Sequence, residues 1–233
     1  MRDKNVEFVA GTLKSTLEEA LATVADGFDV HIDDHEPQNL IIHYPKSLPS
    51  EAYGSSYIQP RILIETGGRA SFHPHENHEI NPMIIDELQE YLKIESDSTV
   101  AVDVLSKDRT FFEKLTYLHE INSRGEKAVT DRQSRHLYDL VEIYHANPTI
   151  LENTDLLEDV RQHKAKYFRR GTSKWELAVP GTIAILPEEA VKDALKQDWE
   201  KMTDLFPSGQ LPYSFDELMK ELDAINAIIN GIR

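Results

Sequence analysis

The sequence predicts an α+β protein, with a sheet-bearing part over residues 1–105 and a helical part over residues 106–233. Three observations carry this. Short β-rich runs punctuated by Pro, Gly and Asn crowd the first part. Apolar residues recur at i, i+3, i+4 and i+7 through the second. The change in composition falls near residue 105, the best candidate for a domain boundary. With 40% hydrophobic and 28% charged residues, the chain has the makings of a packed core.

The elements follow in order. A helix is expected from about Lys4 to Ala25, with Leu13, Leu17, Ala20, Leu21 and Val24 at helical spacing and Gly27 closing it. Phe28–Asp33 alternates as a strand. Asn39–Tyr44 is a second, and the two read as a hairpin. Tyr57–Thr66 reads as a third strand. At period two, Ile62 and Ile64 face one way and Arg61, Leu63 and Glu65 the other. Gly67, Gly68 and Arg69 follow. Residues 70–82 are polar and His-rich, Met83–Leu92 is a short helix, and Thr99–Leu105 is a last strand or an extended connector.

The helical part opens with Arg109–Glu120, where Phe111, Leu115 and Leu118 form a stripe, Phe112 lies at its edge and Lys114 sits within the apolar surface. Asp108 or Thr110 is the expected cap. Arg132–Tyr144 follows, with Leu137, Leu140, Val141 and Tyr144 on one face, and Ser134 or Asp131 as cap. Arg135 and Asp139 are four apart and share a face. Helices over Asp155–Phe168, Glu188–Leu205 and Ser214–Ile229 complete the chain, the last with Ser214 and Glu217 spaced as a capping box. Charge beside the apolar stripe of the first two helices predicts a polar site at a helix–helix or domain seam. A helical hairpin with surface ion pairs has the same spacing.

Composition excludes some chemistry. With no cysteine there is no disulfide, thiolate zinc site or cysteine nucleophile. The formal net charge of −16 argues against a broad non-specific grip on nucleic acid, though not against a local basic patch. No apolar run reaches membrane-spanning length and no signal-peptide pattern opens the sequence, so the expected setting is the cytoplasm. No Gly-x-Ser-x-Gly elbow, Walker loop or His-Glu-x-x-His helix is present.

The segment Arg109-x-Phe-Phe-Glu-Lys-Leu-x-x-Leu-His119, followed by Ser134-Arg-His-x-Tyr-Asp-Leu140, resembles the AbiEii/AbiGii nucleotidyltransferase toxin family. The likeness runs along nearly the whole chain, through Asp33–Leu40, Tyr57–Pro60, Glu65-x-Gly67 with Arg69, His163-Lys164, Asp198–Met202 and Phe215–Asn226. It implies a small nucleotidyltransferase sheet domain followed by a helical domain. It also implies a toxin of a toxin–antitoxin or phage-defence pair, transferring a nucleoside monophosphate from a nucleoside triphosphate to an RNA acceptor such as a tRNA end. By matching motif, Glu65 is the third carboxylate for Mg2+. Lys114 and Asp139 are the helical pair beside the nucleotide, and Arg69 and Arg135 contact nucleotide or phosphate.

One departure matters. Family members carry a Gly-Gly-Thr/Ser helix start and an acidic Asp-x-Asp strand, and nothing before Phe28 matches either. Asp33-Asp34 follows the first helix with no glycine-rich turn. The chain resembles a member that starts just past its Asp-x-Asp strand, an incomplete mixed sheet domain. Two-metal transfer needs several carboxylates on one face. The expectation is therefore little or no transferase activity from this chain alone, with a complementing chain, an antitoxin or a second copy as partner. The rival reading is a non-catalytic interaction protein whose polar seam is structural.

Other groups have two readings each. His73-Pro-His75-Glu-Asn-His78-Glu79 is a metal cluster or a polar surface loop. His163–Arg170 is an RNA-phosphate patch with Tyr167 and Phe168 as stacking groups, or a solvated helix face. Lys114 contacts triphosphate, forms a salt bridge to Asp139, or does both in turn. Glu65 binds metal, or pairs with Arg61 or Arg69.

Overall fold

The computed structural model describes residues 2–53, 59–82 and 99–231. The architecture is α+β, and both of its small sheets are antiparallel. The helix expected at Met83–Leu92 and the first two residues of the strand expected from Tyr57 lie outside the described residues. Among the described residues no helix is long and apolar enough to cross a membrane. The chain folds into two compact units, Met1–Ala70 with Lys201–Pro212, and Ser71–Glu200 with Tyr213–Arg233.

In the first unit, α1 (Arg2–Phe8) and α2 (Lys14–Ala22) are joined by a π-helical turn over Val9–Leu13. The wider turn shifts the inward face. Val9 is fully buried, and Leu13, Leu17 and Leu21 pack around it. Val24, beyond the end of α2, is 71% exposed rather than part of the stripe. Gly27 holds φ +92°, in the left-handed region that favours glycine, and turns the chain into the sheet.

The first sheet runs β1 (Asp29–Ile32), β2 (Asn39–His43), β3 (Ile62–Glu65), with β2 in the centre. β1 and β2 form the expected hairpin, with Val30 opposite Ile42 and Ile32 opposite Leu40. β3 adds Ile64 opposite Leu40 and Glu65 opposite Asn39. Period-two alternation gives one face Val30, Ile32, Leu40, Ile42 and Ile64, which the leucines of α1–α2 cover. The other face carries Asp29, His31, His43 and Glu65, with the two imidazoles stacked at 5.0 Å.

The second unit starts with a hairpin that the sequence half conceals. β4 (His75–Ile80) pairs along its length with β5 (Val100–Leu105). The His-rich stretch is thus strand where its polarity suggests loop. Its partner supplies the β-rich character, and the Asn77 amide donates to Asp103 directly opposite at 2.9 Å.

Five helices follow: α3 (Lys107–Arg124), α4 (Arg135–Ala146), α5 (Thr154–Tyr167), α6 (Glu189–Glu200) and α7 (Phe215–Ile229). The cap of α3 is Ser106, whose hydroxyl accepts from the Arg109 N–H at 3.2 Å. It is neither Asp108 nor Thr110. Because α3 packs on both α4 and α5, its buried surface is wider than one stripe: Phe112 is as buried as Phe111, their rings edge to face at 5.3 Å. Leu137, Leu140 and Val141 of α4 are fully buried, as the spacing predicts. Asn153 caps α5, accepting from the Leu156 N–H. The Ser214–Glu217 capping box of α7 forms in full.

Candidate functional site

The apolar faces of α3 and α4 bring Lys114 and Asp139 together. Lys114 follows Phe112 and precedes Leu115 in the buried surface, so its stem is held while its ammonium reaches the helix edge. Nζ lies 2.6 Å from Asp139 Oδ2, with the side chains 18% and 34% exposed. It also lies 3.1 Å from Nδ1 of His136, one turn before Asp139. Lysine has donors only, so the imidazole accepts at Nδ1 and is neutral. Burial drives the His136 pKa down to about 3, helped by the charges of Lys114, Arg135 and Lys164 and opposed by Asp198. Arg135, an exposed residue at the start of α4, makes no ion pair with Asp139 among the described residues despite the shared face. The Tyr117 ring meets His136 edge to face at 4.9 Å.

A second set of charges backs α3. Glu113 accepts from Lys164 of α5 at 2.5 Å and lies 3.5 Å from Arg109. Arg109 is 1% exposed. Its Nη1 donates to the His73 carbonyl at 2.7 Å and to Asp159, while Nε and Nη2 make no hydrogen bond among the described residues. Glu113 and Lys114, adjacent in sequence, thus point toward different neighbours: α5 for the acid, α4 for the base.

Asp198 fixes where α4 begins. This carboxylate, 8% exposed near the end of α6, accepts from the Arg132 N–H at 2.7 Å, the Ser134 N–H at 2.8 Å and the Ser134 hydroxyl at 2.6 Å. Ser134 occupies the expected cap position, but its own hydroxyl bonds none of the first-turn N–H groups. A remote acid instead holds the cap residue itself and the turn that precedes it, and its negative charge suits a helix start. His119 plays a comparable structural part. Its Nδ1 accepts from the Ala184 N–H and its Nε2 donates to the Lys174 carbonyl, both at 3.0 Å, tying the irregular segment after α5 onto α3. Burial lowers its pKa.

Lys114 and Asp139 form a salt bridge between these two helices, and the likeness of which they are part extends over the chain. A model of the family described as "Nucleotidyl transferase AbiEii toxin, Type IV TA system" matches residues 7–221. The chain belongs to the AbiEii family. No curated protein matches it, and no solved structure does.

In this AbiEii chain, Glu65 and Arg69 belong to the first unit, whereas Lys114, Arg135 and Asp139 belong to the second. Glu65 ends β3, exposed and without a salt bridge among the described residues. Next to it, the Thr66 hydroxyl donates to the Gln38 carbonyl at 2.5 Å and accepts from Asn5 of α1 at 2.7 Å, which fixes the strand end. Arg69 lies exposed in the turn after β3. Among the described residues, the His73–Glu79 stretch included, no group of three or more His, Asp or Glu side chains could hold a metal ion. These residues do not by themselves fit Mg2+.

Sequence reasoning counted His136 and Asp198 among the motif residues but gave neither a role. His136 was visible as the residue three before Asp139, hence on the same helix face. Asp198 gives no local signal, since its partners are more than sixty residues away.

Proposed function

We propose that this AbiEii chain is a toxin-type nucleotidyltransferase that handles a nucleoside triphosphate and an RNA acceptor, and that an antitoxin controls it. Lys114 carries the reading. Its ammonium is part-buried and pre-positioned by Asp139 and His136, one a charged acceptor and the other neutral. A phosphate oxygen can replace the Asp139 carboxylate without moving the lysine stem. Such a fixed cation stabilises charge on a transferring phosphoryl group at little reorganisation cost. In this reading Asp139 holds the lysine and Arg69 and Arg135 bind nucleotide phosphates. Glu65 is this chain's carboxylate toward Mg2+, and further oxygen donors come from the triphosphate and from a complementing chain.

The test has two parts. Titration calorimetry with each nucleoside triphosphate should show binding that Lys114→Ala abolishes. Incubation with Mg2+, labelled nucleoside triphosphates and total tRNA should show little transfer by this chain alone, and robust transfer would overturn that part. A second reading, a non-catalytic partner-binding protein, is favoured by the absence of a three-ligand cluster among the described residues. Under it, no nucleotide binds and Lys114→Ala leaves antitoxin binding intact.

A further inference from the structure

A basic cleft is lined by Tyr117, whose ring also meets His136 of the Lys114 cluster. Its volume is ≈ 360 Å³, and its walls include Tyr117, Arg124, Lys127, Lys164, Phe168 and Arg170. Glu120 is the one acidic residue among those lining it. Four cations against one acid stand out in a chain whose formal net charge is −16. The acid is also largely spoken for: Glu120 lies 3.2 Å from Arg124 and 3.9 Å from Arg170, and it accepts from the Ser173 hydroxyl at 3.1 Å. It therefore orients two guanidinium groups toward the same space. Lys164 is held by Glu113 on one side and lies 4.8 Å from the centroid of the Phe168 ring. Lys127, in the 3-10 turn Glu126–Ala128, is exposed and has no ion pair among the described residues.

We infer that this cleft binds the phosphate ester of a single-stranded polynucleotide, with its cations on the phosphodiester and its aromatic rings offered to a base. The kind of donors present sets this cleft apart from a triphosphate cradle. A triphosphate cradle gathers backbone N–H groups at a helix start. Here the walls come from the C-terminal ends of α3 and α5 and the segments after them, and the donors are long side chains on separate elements. Spread cations with interleaved aromatic residues track a backbone and accept any base. Guanidinium groups suit phosphate oxygens through their planar fork. Burial raises the Tyr117 pKa, with Glu120 adding to the effect, so its hydroxyl stays protonated and able to donate. Lys164 lines the cleft and also acts on His136, which connects the cleft electrostatically to the Lys114 cluster.

A polynucleotide rather than a free nucleotide as occupant rests on the transfer reading above. The phosphate-ester site itself does not. The experiment measures fluorescence anisotropy of a labelled single-stranded RNA oligonucleotide with the full chain, without metal or added nucleotide, and repeats the measurement with labelled ATP and with inorganic phosphate as competitor. The double variant Lys127→Glu with Arg170→Glu should weaken oligonucleotide binding about tenfold or more and flatten its salt dependence by about two. The double variant Lys196→Glu with Lys220→Glu makes the same change in net charge on exposed residues of α6 and α7 and should leave binding near that of the parent. ATP binding lost through the cleft variant, with the oligonucleotide unaffected, would keep the phosphate-ester site and overturn the polynucleotide. Equal weakening by both double variants, or no phosphate ligand sensitive to the cleft variant, would overturn the site. Lys114→Ala separates the two readings, because it removes nucleoside triphosphate binding while the cleft still holds the oligonucleotide.

Discussion

Lys114 donates to Nδ1 of His136 across 3.1 Å, placing an ammonium against an imidazole that must stay neutral to accept it. Each group favours the state the other needs. The lysine charge disfavours protonation of the ring, and the neutral ring leaves the lysine two acceptors when Asp139 is counted.

Removing the lysine charge should therefore be read at the histidine. In Lys114→Met the His136 pKa rises from about 3 but stays below its ordinary 6.5, because burial, the larger cause, remains. NMR titration of the His136 ring measures this directly. An unchanged value would mean that the two groups do not face each other in solution.

Acid should destabilise the fold in a window set by histidine. His136 has a folded pKa of about 3 against 6.5 in the unfolded chain, and His119 shifts in the same direction. Below pH 6.5 the unfolded chain takes up protons that the folded one refuses, so stability falls with pH from 6.5 toward 3. For His136 alone the loss is about 2 kcal/mol by pH 5. Glu158, lowered to about 2 chiefly by its hydrogen bond to Arg161, loses its contribution only below the ordinary 4.5. Thermal melts between pH 7 and 5 thus isolate the histidines, and His136→Gln should flatten the slope.

Asp198→Ala should cost about 3 kcal/mol. It strips the start of α4 of an acceptor for two backbone N–H groups and a hydroxyl, all near or within the core. Chemical denaturation gives the value. A loss under about 1 kcal/mol would show that water or another side chain replaces the carboxylate.

Arg109 separates packing from charge. Its partner Asp159 is 65% exposed and Glu113 keeps Lys164, so removing the guanidinium leaves neither acid buried and alone. Arg109→Met, which keeps an apolar stem, should cost no more than about 1 kcal/mol. Arg109→Ala, which opens a cavity, should cost about 3 kcal/mol. Equal losses would mean that the charge dominates.

What could be read from the sequence was whatever its neighbours in the chain decide. The stripe of Leu137, Leu140 and Val141, the Ser214–Glu217 box and the β1–β2 hairpin all rest on local spacing. The π turn at Val9–Leu13 is set by packing against Leu40 and Ile42, so helical periodicity alone ran straight through it. β4 has no alternation of its own and is a strand because β5 lies beside it. The Lys114–Asp139 contact could be foreseen as a pair, but not its third member, His136, whose neutrality depends on burial that no spacing reveals.

The distance in sequence between Asp198 and the helix start it holds has a bearing on biosynthesis. Until residue 198 has been added, the turn that leads into α4 lacks its acceptor, although every residue of the Lys114, His136 and Asp139 cluster has already been made. That cluster gains its anchored geometry only after Asp198 has been added. A nascent chain released early, by stalling or by a nonsense codon, would carry the motif without its anchored geometry.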